Sequence, residues 1–181
     1  MEKRRVILYI AMSLDGYIAT DEGSLDWLSL VEVPGQDYGY ETFVRQVDTV
    51  IMGRKTYEKV LSFGIEFPHR GRMCYVVSNS MTGSDENVTY YGGDLTELIT
   101  DIKSKPGKNI FIDGGAEVVN SLMRADLIDE YILSVIPIFL GGGKRLFKDA
   151  RPEMSLSLLS VTNYESGLVQ MSYERTKGGS N

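Results

Sequence analysis

An apolar run that ends in glycine and passes directly into residues with helical spacing occurs twice in this chain. Val50-Ile-Met-Gly53 leads into Arg54-Lys-Thr-Tyr-Glu-Lys-Val60, and Ile110-Phe-Ile-Asp-Gly-Gly115 leads into the stripe Val118, Val119, Leu122, Met123. A strand that feeds a helix returns to its sheet through a crossover, so its neighbour runs parallel to it. Such sheets need helices on both faces. Further strand-like runs rich in Val, Ile, Tyr and Phe stand at Arg5 to Met12, Thr49 to Met52, Met73 to Ser78, Val88 to Tyr91, Asn109 to Ile112 and Glu130 to Ile138. Between them, helical periodicity covers Tyr38 to Val47, Thr56 to Ser62, Leu95 to Lys103 and Glu117 to Arg124. The third of these is entered by Asp94-Leu-Thr-Glu97, which has capping-box spacing. After Ile138 the pattern changes: Ser155 to Tyr164 and Leu168 to Arg175 read as strands with only Glu-Ser-Gly between them, which leaves room for a hairpin and none for a helix. The expected fold is α/β, with a mostly parallel central sheet covered on both faces and a C-terminal antiparallel hairpin. One domain is expected over residues 1–176, followed by a frayed tail at 177–181 that lacks apolar residues.

Charge and composition narrow the function. A net charge of -6 gives no broad positive surface for nucleic acid or an anionic membrane, so any anion site must be local. The opening Met-Glu-Lys-Arg-Arg5 and the short apolar run behind it meet Asp15-Gly16 without a cleavage site, and they read as a first strand rather than a leader. Cys74 is the only cysteine and His69 the only histidine, which rules out an internal disulfide and a Cys/His zinc site and fits a cytoplasmic protein. Cys74 lies inside Met73-Cys-Tyr-Val-Val77 and is expected to be a buried, inert thiol. His69, between Pro68 and Arg70, is expected to be exposed in a polar loop. No Gly-x-Ser-x-Gly elbow is present.

Glycine and charge mark the candidate binding positions. Two helix starts on one parallel sheet lie at its carboxyl edge, where α/β sheets bind ligands and free N–H groups favour anions. Gly53, Arg54, Lys55 and Thr56 suit one phosphate region of a dinucleotide, with ordinary solvated charge as the plain alternative. Gly114, Gly115 and Ala116 allow a diphosphate close to the backbone, and Ser78-Asn79-Ser80, ending the next strand, offers polar groups beside Arg54 for a ribose phosphate. Gly141-Gly-Gly-Lys-Arg145 is not a P-loop, because Ile138 and Arg145 occupy the positions where glycine and Ser/Thr are required. The Gly-x-Gly-x-x-Gly spacing is also absent after the strands. Trp27, in the loop after the first strand, suits either a core plug or a cover for a flat ring.

In their order along the chain, Ser13-Leu-Asp-Gly-Tyr-Ile-Ala19, Val50-Ile-Met-Gly-Arg-Lys-Thr-Tyr57, Val76-Val-Ser-Asn79, Phe111-Ile-Asp-Gly-Gly-Ala116 and Ile136-Pro-Ile-Phe-Leu-Gly-Gly-Gly-Lys-Arg-Leu-Phe147 resemble the dihydrofolate reductase superfamily. Within it, the chain is similar to stand-alone proteins related to the reductase domain of the bifunctional riboflavin-biosynthesis deaminase/reductase. The resemblance implies a three-layer α-β-α fold and NADPH as cofactor. It assigns the adenosine-side phosphates to Gly53, Arg54, Lys55 and Thr56, and the ribose phosphate to Ser78 and Asn79. The diphosphate falls to Gly114, Gly115, Ala116 and Glu117, and the cleft lining to Leu140 and Gly141. Ser13, Asp15 and Trp27 fall on the substrate side. Trp27, Pro34 and Asp37 keep the folate enzymes' order with stretched spacing, so Asp15, Asp37 and Glu41 all stand as candidate proton donors. The implied reaction is hydride transfer to a pyrimidinone, pterin-like or ribosylamino-pyrimidine small molecule, with a homodimer expected through the hairpin edge. A non-catalytic dinucleotide-binding regulatory module is the alternative.

Overall fold

The computed structural model describes residues 3–149 and 153–176; the tail expected at 177–181 lies outside them. Ten strands and four α-helices follow in order: β1 Val6–Ser13, β2 Tyr17–Ala19, α1 Tyr40–Val44, β3 Val47–Gly53, α2 Arg54–Ser62, β4 Met73–Val77, β5 Thr89–Tyr91, α3 Leu95–Ser104, β6 Asn109–Gly114, α4 Ala116–Arg124, β7 Glu130–Ile136, β8 Lys144–Arg145, β9 Leu156–Asn163 and β10 Val169–Arg175, with a 3-10 helix at Asp26–Val31. The main sheet has the order β5-β4-β3-β6-β1-β7-β10-β9. Its first six strands pair in parallel, and β10 joins β7 antiparallel with β9 at the outer edge.

Side-chain alternation divides the sheet into two buried faces. Val6, Leu8, Ile51, Ile110 and Ile112 pack against Leu98, Ile99 and Ile102 of α3 and Val118, Val119 and Leu122 of α4. Ile7, Val50, Met52, Val76 and Phe111 face the other way, onto Phe43 of α1 and Tyr57 of α2. The result is the expected α-β-α layering. Capping at α3 also follows the sequence, because the Asp94 carboxylate accepts from the N–H groups of Thr96 and Glu97 at 2.7 and 3.2 Å.

Two local features depart from the sequence reading. The helix expected over Tyr38 to Val47 shrinks to α1, because Tyr38 and Gly39 hold positive φ values of 56° and 81°, and Val47 joins β3. Bonds from Tyr9 Oη (3.0 Å) and Gln170 Nε2 (3.2 Å) to the Tyr38 carbonyl hold that bend. The short strands β2 and β8 pair in a separate sheet. Each is too brief to show alternation.

At the amino edge of the sheet a buried guanidinium ties four segments together. Arg4 is 5% exposed; it donates to the carbonyls of Lys108 (2.7 Å) and Ile102 (3.1 Å) and to Thr49 Oγ1 (2.8 Å), and it pairs with the Asp48 carboxylate. Removing the counter-charge from a buried ion is costly even when neutral bonds remain. Asp48→Asn is therefore expected to lower the unfolding free energy by about 3 to 5 kcal/mol in urea denaturation. A loss under 1 kcal/mol would mean that the neutral bonds suffice.

Candidate active site

Because β3 and β6 are neighbours, their two glycine turns meet. Met52 lies beside Gly114, and a Cβ placed on Gly53 would stand 3.9 Å from the Gly114 carbonyl oxygen and 4.0 Å from the Gly115 nitrogen. The Gly115 N–H donates to Thr56 Oγ1 at 2.9 Å, linking the start of α2 to that of α4. The two positions thus form one composite edge instead of two distant ones. Gly114 has φ +115°, open to glycine and strained for other residues. Neither helix has a side-chain cap, and Gly53 and Gly115 are their N-cap residues. The contrast with the capped α3 leaves first-turn N–H groups of α2 and α4 without side-chain acceptors.

The charges around this edge are accessible. Arg54 and Lys55 are exposed, with Arg54 Nη1 3.1 Å from Glu58 Oε1 on the same helix. Glu117, in the first turn of α4, pairs with Lys148. Ser78 and Asn79 leave β4 on the far side of β3. Ser78 Oγ is committed locally, accepting from the Met81 and Ser80 N–H groups at 3.2 and 3.3 Å, while Asn79 is exposed.

A second group of predicted residues forms a pinned loop. Asp15 Oδ1 accepts from buried Ser13 Oγ (2.6 Å) and from the Leu140 N–H (3.1 Å), and Asp15 Oδ2 accepts from the Gly141 N–H (2.8 Å). Partial desolvation opposes ionisation of this carboxyl, yet the bonds from Ser13, Gly141 and Leu140 outweigh it and hold it below the usual carboxylate range. Residues 17–19 are clasped to β8, with Arg145 over the Tyr17 ring at 5.0 Å. Gly143 (φ +128°) passes so close that a Cβ would lie 2.2 Å from the Ala19 carbonyl oxygen, which accounts for a glycine at this point of the Gly141-Gly-Gly143 run. The loop after β1 is therefore anchored over part of its length. Leu14 and Phe139 stay exposed on its rim.

The remaining predicted residues do not gather at one point. Asp37 caps α1, accepting from the Glu41 N–H at 2.9 Å and the Gly39 N–H at 3.0 Å, and those bonds hold its carboxyl below the ordinary range. Glu41 is exposed and pairs with Arg45 at 2.8 Å. Trp27 is buried with Val31, Ile136 and Leu168, so its body is a core plug. Its indole Nε1 is buried without a hydrogen-bond partner.

The expectation of an exposed His69 is overturned. The ring is 2% exposed, held edge-on between Phe67 and Phe111 with centroids 5.5 and 5.7 Å away, and Nε2 lies 3.1 Å from Asp113 Oδ2. Phe67, two residues upstream, is the one local cue to burial, because an aromatic anchor pulls a short polar segment inward. Cys74 is buried as expected, and burial pushes its thiol up to about 11. Among the described residues no group of three or more His, Cys, Asp or Glu side chains could hold a metal, and no helix is long and apolar enough to cross a membrane.

Helices α2 and α4, each opened by a glycine, thus start side by side at the ends of neighbouring strands. The RibD C-terminal domain matches residues 4–170. The chain belongs to the RibD C-terminal domain family. It is 43% identical over 174 residues to uncharacterized protein YwjB of Bacillus subtilis (strain 168), covering 96% of this chain and 99% of the relative. It is 29% identical to uncharacterized protein YyaP of the same strain over 187 residues, covering 96% of each. A solved Shewanella sp. PV-4 protein, whose name provisionally places it in riboflavin biosynthesis, superposes with a TM-score of 0.89 at 35% identity, covering 96% of this chain and 99% of that one. A pyrimidine reductase-like protein of Corynebacterium diphtheriae shares the fold at a TM-score of 0.69 and 15% identity, covering 97% and 93%.

The Asp15 clasp is directly testable. A carboxylate whose native value is depressed stabilises its contacts above the unfolded value and releases them as pH falls through the native one. Leu140 and Gly141 amide protection is thus expected to persist at pH 5 and to fall only below the ordinary carboxylate range. In Asp15→Ala, hydrogen exchange at both amides is expected to be at least about tenfold faster. Unchanged exchange would remove Asp15 from this role.

Proposed function

We propose that this protein is a cytoplasmic NADPH-dependent reductase that delivers hydride to a planar small molecule of the pyrimidinone, pterin or ribosylamino-pyrimidine class. The carrying observation is the composite edge: two uncapped helix starts linked by the Gly115–Thr56 bond, with Arg54 and Lys55 exposed beside them. The donor set fits a phosphorylated dinucleotide. N–H groups at Ala116 and Glu117 suit the diphosphate, and Gly53 to Thr56 suit the phosphates on the adenosine side. The Arg54–Glu58 pair is exposed and contributes little, so a phosphate displaces Glu58 at small cost. Ser78 and Asn79 follow Val77, the β4 partner of Gly53.

When bound, NADPH supplies the hydride. The chain's own residues bind, orient and exclude water. On this reading Asp15 acts by holding the Leu140–Gly141 backbone against the cleft, and its three donors keep it ionised. Leu14 and Phe139 offer exposed apolar cover for a flat ring. Asp37 is retained by the α1 cap, and Glu41 by Arg45. The family and the Shewanella neighbour support this reading in coarse outline, and the substrate class extends it.

The test is thermal unfolding and direct binding with NADPH, NADH and FMN, because a ligand that binds only the native state raises its stability. NADPH is expected to raise the unfolding temperature the most. Arg54→Ala is expected to weaken NADPH about tenfold to a hundredfold, the size of a charge-assisted bond, and to change NADH by less than about threefold. No stabilisation by NADPH would overturn the reading. Tight NADPH binding without turnover on a pterin and pyrimidinone panel would favour a regulatory module.

The proposal includes a homodimer formed along the hairpin. Strand β9 is exposed at every residue and shows Leu156, Leu158, Leu159 and Val161 at an unpaired sheet edge. Sedimentation is expected to give a dimer that Leu158→Glu converts to monomer. A monomeric wild type at micromolar concentration would remove this part.

A further inference from the structure

Asn120 is 1% exposed, on a helix that otherwise buries Val118, Val119, Leu122 and Met123. A carboxamide is costly to bury unless its polar atoms are bonded, so its partners show what it holds. Nδ2 donates to the Ala116 and Leu146 carbonyls, each at 2.7 Å, and Oδ1 accepts from the Lys148 N–H at 2.9 Å. One short side chain thus spans two segments, the first residue of α4 and the stretch that follows β8. Two other contacts join the same segments. The Glu117–Lys148 pair is exposed and contributes little. Leu146 packs in one core with Val119 and Leu122, but apolar contact has no direction and leaves the register of the segment unset. The Asn120 bonds set it.

Both ends of this bridge lead into the candidate site. On the helix side, Ala116 follows Gly115, whose N–H donates to Thr56 Oγ1 at 2.9 Å and so ties in the start of α2. On the loop side, the Leu146 N–H donates to the Gly16 carbonyl at 3.0 Å, and Arg145 pairs with Tyr17. Gly16 in turn follows Asp15, whose carboxylate holds the Leu140 and Gly141 N–H groups. From Thr56 to Gly141 each step is a hydrogen bond or a few residues of backbone. Asn120 is the buried side chain at the middle of that series.

We propose that Asn120 is a positioning residue that couples occupation of the α4 start to the order of the Asp15 loop, an inference resting on the reductase reading above. On that reading the Ala116 and Glu117 N–H groups carry the cofactor diphosphate, which holds the first turn of α4 still. Asn120 is bonded to that turn and to residues 146 and 148, so it passes the constraint to Gly16 and to the clasp at Leu140 and Gly141. A ligand that orders a segment lowers the entropy cost for the next ligand that needs the segment ordered. Cofactor and substrate therefore strengthen each other's binding, and the effect is reciprocal.

The test is hydrogen exchange on the full chain with and without NADPH, in wild type, Asn120→Leu and Asp94→Ala, with NADPH affinity read by fluorescence. Asp94→Ala removes the α3 cap and controls for a general loss of stability. In wild type, NADPH is expected to slow the Leu140, Gly141 and Leu146 amides about fivefold or more, the lower end of ordinary coupling. In Asn120→Leu that slowing is expected to fall below about twofold while NADPH affinity stays within about tenfold of wild type. Asp94→Ala is expected to keep the wild-type slowing. Wild type that does not bind NADPH overturns the reductase reading and this inference with it. Wild type that binds NADPH without slowing those amides overturns the coupling alone. So does an Asn120→Leu protein that keeps the slowing, or an Asp94→Ala protein that loses it equally. Should Asn120→Leu fail to fold, the wild-type Asn120 side-chain amide protons decide. Their exchange is expected to slow about fivefold or more with NADPH, and unchanged exchange overturns the coupling.

Discussion

The parallel pairing of β3 with β6 is the constraint on which the candidate site depends. Both strands end at the same edge, and each ends in glycine, so the backbones of Gly53 and Gly114 approach within van der Waals reach. A side chain on Gly53 would fill the space between the two turns, and one on Gly114 would meet Ile10 and a strained φ of +115°. The Gly115–Thr56 bond then fixes one helix start against the other. Everything proposed about phosphate binding follows from that contact, because free N–H groups attract an anion strongly only when several converge. Net charge works in the same direction. A chain of -6 does not attract anions over its surface, which leaves local geometry to create the affinity.

A loop leaving β1 is held by the Asp15 carboxylate. Asp15 gathers three donors from two separate segments, and the β2–β8 pair and the Gly143–Ala19 approach complete the clasp. A carboxylate so engaged is a poor proton donor, since each bond favours its ionised form. The same arithmetic applies to Asp37 at the start of α1. Asp15 and Asp37, both picked out by motif, each hold backbone N–H groups in place.

Legibility followed the physics of each element. Strands with continuous apolar runs, such as Asn109–Gly114 and Glu130–Ile136, were readable because burial on both faces demands such runs. The Asp94 cap was readable because its partners are two and three residues away. The glycine turns and the family resemblance named most of the candidate site for the same reason: backbone freedom and phosphate chemistry leave short, local signatures. β2 and β8 were invisible, being short strands whose pairing joins residues far apart in the chain. α1 came out shorter than its periodicity because long-range bonds from Tyr9 and Gln170 bend the backbone at Tyr38.

By itself the sequence determined the layers, the parallel order of the strand-helix units and the glycine-opened edge, since hydrophobic period and glycine placement are properties of consecutive residues. Tertiary structure alone decided what each polar side chain does. Asp15 became a clasp, Trp27 a plug and His69 a buried partner of Asp113, through contacts spanning up to 126 positions along the chain. The reason is physical: the state of an ionisable group depends on burial and on the donors and charges a few ångströms away, and those neighbours are chosen by the fold.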